Sequence, residues 1–70
     1  MKNKISIIIP TLNEEKTIEN CLNCLIIQDE KPFEIIVIDN GSTDRTRDIV
    51  KKLRKKFKQQ NINLKLLYHP

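Results

Sequence analysis

Apolar and polar positions change their period four times along this chain. Lys4-Ile5-Ser6-Ile7-Ile8-Ile9 is short, β-branched and nearly continuously apolar, which predicts a strand covered on both faces, with Pro10 ending it. From Glu14 to Gln28 the spacing lengthens: Ile18, Cys21, Leu22 and Leu25 recur at helical intervals, and Glu14 and Glu15 complement the dipole of a helix starting there. Asp29-Glu30-Lys31-Pro32 breaks that helix, and Phe33-Glu34-Ile35-Ile36-Val37-Ile38-Asp39 is a second apolar run of strand length. After the turn at residues 40–44, Ile49, Val50, Leu53 and Phe57 form the stripe of a second helix reaching about Gln60. Asn61 and Asn63 flank a return to strand over residues 62–68.

The order is therefore β-α-β-α-β, an α/β arrangement. Each crossover is long enough for a helix, so three parallel strands joined by right-handed connections are expected, a Rossmann-like half of a doubly wound fold. With 70 residues the chain is one domain or part of one, and a domain of this size has little stability to spare. Its charged fraction of 31% lies above the usual quarter, which fits a soluble globular segment. The longest apolar runs, residues 7–10 and 35–38, fall far short of a membrane span, and the start Met1-Lys2-Asn3-Lys4 lacks a secretory signal's apolar region. A cytoplasmic location, with or without attachment to the cytoplasmic face of the membrane, is the expectation.

Charge is unevenly placed. The net charge is +4, yet Arg45, Arg47, Lys51, Lys52, Arg54, Lys55, Lys56 and Lys58 crowd one segment, opposed there only by Asp44 and Asp48. Such a run is ordinarily a solvated helix face; it also attracts phosphates, nucleic acid or an anionic membrane surface. Cys21 and Cys24 have CxxC spacing, but a zinc site needs about four ligands and His69 is the only other soft donor. Their mid-helix placement favours packing over redox chemistry.

Ligands of open α/β sheets bind beyond the carboxyl ends of the strands. Here those ends are Pro10-Thr11-Leu12-Asn13-Glu14 and Asp39-Asn40-Gly41-Ser42, which adjacent parallel strands bring side by side. They carry carboxylates, amides, hydroxyls and the chain's one glycine, groups able to accept the ring N–H of a nucleobase and the hydroxyls of a ribose. The same residues have plainer uses. Thr11 with Glu14 matches a capping box, and Asn13, Ser42, Thr43 and Asp44 are helix caps by type. Asp39, ending an apolar strand, is the residue least explained by capping. Neither G-x-G-x-x-G nor a Walker sequence is present, so the site grips base and sugar rather than cradling phosphates.

Ser6-Ile7-Ile8-Ile9-Pro10-Thr11-Leu12-Asn13-Glu14-Glu15 resembles the opening strand and loop of family 2 glycosyltransferases of the GT-A fold. Residues 33–46, Phe33 through Thr46, resemble the second strand and turn of that family, in the right order and at the right separation. The resemblance covers nearly the whole chain. It implies that residues 1–70 are the N-terminal, nucleotide-binding part of an incomplete GT-A domain, holding the nucleotide of a diphosphate-activated sugar. Contacts near Pro10, Thr11, Glu14, Asp39 and Asn40 are implied. Many members have a second aspartate where this chain has Asn40, whose amide oxygen can still accept a base N–H. The family's later D-x-D motif, which holds Mg or Mn, and its later general base have no counterpart, since no Asp or Glu follows Asp48. The chain should thus contain neither metal ligands nor catalytic residues and should be inactive alone.

Two other classes fit parts of the sequence. A small basic nucleic-acid-binding module would use the second helix, but Phe33, Phe57 and Tyr68 do not make a stacking platform. A non-catalytic assembly piece would dock, or self-associate, through the exposed first strand of an unfinished sheet.

Overall fold

The computed structural model describes residues 5–27 and 31–70. Within them run β1 (Ser6–Thr11), α1 (Ile18–Ile26), β2 (Glu34–Asp39), α2 (Thr46–Lys58) and β3 (Asn63–Tyr68). The sheet has the order β1-β2-β3 and both pairings are parallel. The expected three-stranded parallel α/β arrangement is what forms. The parts of the reading that fall on Lys4 and on residues 28–30 lie outside the described residues.

The sheet is covered on one face only, against the expectation of strands buried on both. Alternate residues of β2, Ile35, Val37 and Asp39, are fully buried, whereas Glu34, Ile36 and Ile38 between them are half-exposed. The core joins Ile35, Val37 and Leu64 of the sheet to Ile18 and Leu22 of α1 and Val50, Leu53 and Phe57 of α2. The cause is topological: two right-handed crossovers stepping in the same direction place both helices on the same face. The other face leaves Ile8 61% and Leu67 52% exposed. At its amino end a polar row crosses it, with Ser6 Oγ donating to Glu34 and Lys65 Nζ lying 2.8 Å from Glu34 Oε2.

Pro10 does not stop β1; it pairs in register with Ile38 inside the strand. Ile5 and Thr11 accept backbone hydrogen bonds from Phe33 and Asn40, so the odd-numbered residues of β1 face β2. Pro10, an even-numbered residue of an edge strand, turns its missing N–H to the free side, where no ladder bond is lost. At the other end of the fold, Asn61 has φ 61°. Its amide donates to Lys58 O and that of Ile62 to Phe57 O, a Schellman closure that ends α2 and swings the chain into β3.

Candidate functional site

The carboxyl ends of β1 and β2 lie side by side, with Thr11 paired to Asp39 and the Asn40 amide donating to Thr11 O at 2.9 Å. Gly41 then adopts φ 110°, which side-chain-bearing residues rarely tolerate. That turn folds Ser42 back onto Asp39. The Ser42 amide donates to Asp39 Oδ2 at 3.1 Å, and the Ser42 hydroxyl makes a short hydrogen bond to Oδ1.

Two hydroxyls then stitch the second loop to the first. Ser42 Oγ, donating to Asp39, accepts the Asn13 amide at 2.8 Å. Thr46 Oγ1, donating to Asp44, accepts the Glu14 amide at 2.9 Å. Asp44 Oδ2 takes the Glu15 amide at 3.2 Å, and Asn13 Oδ1 returns the link by accepting the Thr43 amide at 2.8 Å. The backbone N–H groups leading into α1 are thus satisfied by side chains about 30 positions further on rather than by local caps. Among the described residues no buried side-chain nitrogen or oxygen lacks a partner.

This arrangement displaces the expected caps. Thr11 and Glu14 form no capping box, because Thr11 is buried in β1 and α1 starts four residues after Glu14, not at it. Residues 14–17 form a turn in which Glu14 O accepts from Thr17 and Ile18, and the Glu14 carboxylate accepts the Thr17 hydroxyl at 2.9 Å. Asp44 does serve α2, accepting the Thr46 amide at 2.9 Å, although Arg45 is the N-cap position. Burial works to raise the Asp44 pKa. The hydrogen bonds from Thr46 and from the Glu15 amide outweigh it and hold the group below its ordinary value.

Of the five candidate residues, Pro10, Glu14 and Asn40 are exposed at the strand ends, while Thr11 and Asp39 are closed inside. Asp39 is the frame of the site: besides Ser42, Arg47 Nε lies 3.4 Å from Oδ2. The Arg47 guanidinium also stacks 4.1 Å from the centroid of the Tyr68 ring and donates to Ser42 O at 3.3 Å. The His69 amide donates to Asp39 O at 2.7 Å, so the end of β3 is a third wall of the site. Sequence reasoning assigned Arg47 to the general basic run and omitted β3; the apolar run of β3 ending in Tyr68-His69, parallel to the other two, was the signal that could have found it.

Among the described residues no group of three or more His, Cys, Asp or Glu side chains could hold a metal ion. The local acids are engaged otherwise, Asp39 with Ser42 and Arg47 and Asp44 with Thr46 and Glu15. These residues do not fit the divalent metal that the family resemblance implies. Cys21 and Cys24 are both exposed on α1, so they are not the packing residues their helical spacing suggested. Leu22 and the half-buried Leu25 carry that face instead.

Two loops joined at in-register strand ends match a known sequence family. The family model described as glycosyl transferase family 2 covers residues 6–70. The chain belongs to that family. A relative from Methanococcus voltae, a dolichyl N-acetyl-α-D-glucosaminyl phosphate 3-β-D-2,3-diacetamido-2,3-dideoxy-β-D-glucuronosyltransferase, is 48% identical over 64 residues. That match takes in 89% of this chain and 20% of the relative. The poly(ribitol-phosphate) β-N-acetylglucosaminyltransferase TarS of Staphylococcus aureus is 48% identical over 77% of this chain and 10% of its own length. The crystal structure of S. aureus TarS 1–349 superposes with a TM-score of 0.74 at 40% identity, covering 94% of this chain and 19% of that one. The chain spans about a fifth or less of these relatives, and what it shares with them is part of a GT-A domain.

Proposed function

We propose that this chain recognises the nucleotide of a nucleotide-diphosphate sugar, as the donor-binding portion of a glycosyltransferase that passes the sugar to an acceptor. One observation carries the reading: the cross-stitched loops hold the exposed Glu14 and Asn40 side chains at adjacent strand ends, on a frame anchored by buried Asp39. In an open α/β sheet this is where a ligand sits. The Asn40 amide oxygen suits a base N–H, and the Glu14 carboxylate suits ribose hydroxyls. Pro10 offers an apolar edge, while Thr11 and Asp39 keep the two loops in register. The relatives named above are themselves glycosyl-transferring enzymes, which supports a sugar nucleotide over a dinucleotide.

Neutralising the diphosphate and deprotonating the acceptor fall to groups other than these residues. The 70 residues supply donor recognition, not the transfer step. A nucleic-acid-binding role finds less support, since Phe57 is buried in the core and Tyr68 lies under Arg47 rather than on a shared platform.

Titration of the labelled chain with uridine and thymidine diphosphates, followed by amide NMR, tests the proposal. Shift changes at Glu14, Asn40 and Ser42, weakened by Asn40→Ala and kept by Asn40→Asp, are expected. Changes confined to the basic face of α2 would overturn it.

A further inference from the structure

The basic run of α2 is not used up by the site just described. Arg47 is engaged with Asp39, and Lys56 donates to Asn23 of α1. Further along the helix, Lys51, Arg54, Lys55 and Lys58 line an open cavity of about 790 Å3. Its other walls are Phe33, just ahead of β2, and residues 61–64 entering β3. It therefore lies toward the amino ends of the strands, away from the loops at their carboxyl ends. Among the described residues no carboxylate lines it, and neither ion pair there involves its four cations. Phe33 sits at its rim with 47% of its surface exposed.

We propose that this face of α2, with Phe33 at its end, docks onto an anionic phospholipid membrane. Four cations gathered on one concave face, with no acid among the described residues that line it, form a site for several phosphates at once, which a surface of phospholipid headgroups presents. An exposed aromatic beside the cations adds the second, apolar signal that stable attachment needs beyond charge alone. A nucleic-acid strand would require successive aromatics for its bases; this face offers one. Because the cavity and the strand-end loops occupy different ends of the sheet, the docked chain keeps its nucleotide site open. The proposal stands independently of nucleotide recognition.

Co-sedimentation of the full chain with phosphatidylcholine vesicles, with and without phosphatidylglycerol, provides the test. Binding only to the anionic vesicles, weakening as salt rises, is expected. The double reversal R54E/K55E should weaken it by about 30-fold or more, and Phe33→Ser should weaken it without changing its salt dependence. Equal partition onto both vesicle types, an unaffected double variant, or tighter retention by an oligonucleotide at the same ionic strength would each overturn the proposal. Should circular dichroism show the double variant unfolded, amide NMR of the unaltered chain decides. Broadening at Lys51, Arg54, Lys55 and Lys58 on adding anionic vesicles supports docking, and broadening centred on Asn40 and Ser42 refutes it. Vesicle binding without nucleotide shifts, or the reverse, separates this proposal from the preceding one.

Discussion

The guanidinium of Arg47 lies 3.4 Å from the Asp39 carboxylate, joining the first turn of α2 to the last residue of β2. Asp39 is completely buried, whereas 37% of the Arg47 side chain is exposed. The pair is therefore asymmetric. Solvent already serves the arginine, and the carboxylate depends on its protein partners. Asp39 binds its own loop through the amide and hydroxyl of Ser42, and so shapes that loop.

Replacing Asp39 by alanine should accordingly cost more than ligand affinity. The Ser42 amide and hydroxyl lose their acceptor, and Asn13 loses the oriented hydroxyl it donates to. With the ion pair discounted for exposure of Arg47, the loss should be about 2–4 kcal/mol. Urea unfolding of Asp39→Ala measures it; a midpoint equal to that of the unaltered chain would show that the loop finds other acceptors.

Thr46→Val tests the stitching between the loops without touching the candidate ligand contacts. The substitution keeps the shape of a fully buried side chain and removes the hydroxyl that links the Glu14 amide to Asp44. A loss of about 1–2 kcal/mol is expected, the range of a lost helix cap. Faster hydrogen exchange at Glu14 than at Leu22 in this variant would localise the effect to the start of α1.

The path from sequence to structure was legible where periodicity is strong. Val50, Leu53 and Phe57 sit on the buried stripe their spacing predicts, and the two strand-end loops meet as parallel pairing requires. Where one residue type serves two kinds of partner, the sequence was ambiguous. Thr11-x-x-Glu14 has the letters of a capping box, but the amides of Asn13, Glu14 and Glu15 are taken by Ser42, Thr46 and Asp44 from across the sheet. No local pattern encodes a cap supplied from 30 residues away. The one-sided sheet was hidden for a related reason. A strand such as β2 reads as uniformly apolar whether its second face is buried or, as for Ile36 and Ile38, only half covered.

Acid should loosen the fold through Asp44 and Glu34. Both carboxyls titrate below their ordinary values of 3.8 and 4.5. For Glu34 the hydrogen bond from Lys65 is the main cause, opposed by burial and aided by Ser6 and by the Lys65 charge. A folded-state pKa lowered in this way favours the folded state while the group is ionised. Its contribution is complete above the unfolded-state value and is lost as pH falls through the folded-state one. Stability should therefore be insensitive to these groups near neutrality and decline as pH drops past 4.5 and then 3.8. Urea midpoints across that window provide the measurement, and Glu34→Gln should flatten its upper part. An unchanged slope in that variant would remove Glu34 from the account.

The two edges of the sheet are unequal. Among the described residues β1 pairs only with β2, so the N–H and C=O groups of Ser6 and Ile8 point away from the sheet. Ile8, at the centre of that edge, is 61% exposed and continues onto the open face through Ile36 and Ile38. The opposite edge, β3, places Asn63, Lys65 and Leu67 on the open face, and the first two are the polar and charged kind that discourage further pairing. On β1 only Pro10, which lacks a donor, and Ser6 interrupt the pairing surface. Association of the 70-residue chain should therefore be directional, β1 against β1, with burial of the two Ile8 side chains as its main drive. Sedimentation velocity should show a concentration-dependent shift toward dimer. Ile8→Lys, which places a charge in the middle of the edge and empties no part of the core, should suppress it while leaving thermal stability at low concentration unchanged. A monomer with a sharp, concentration-independent unfolding transition would sink the idea. A dimer that survives Ile8→Lys would move the contact to another face.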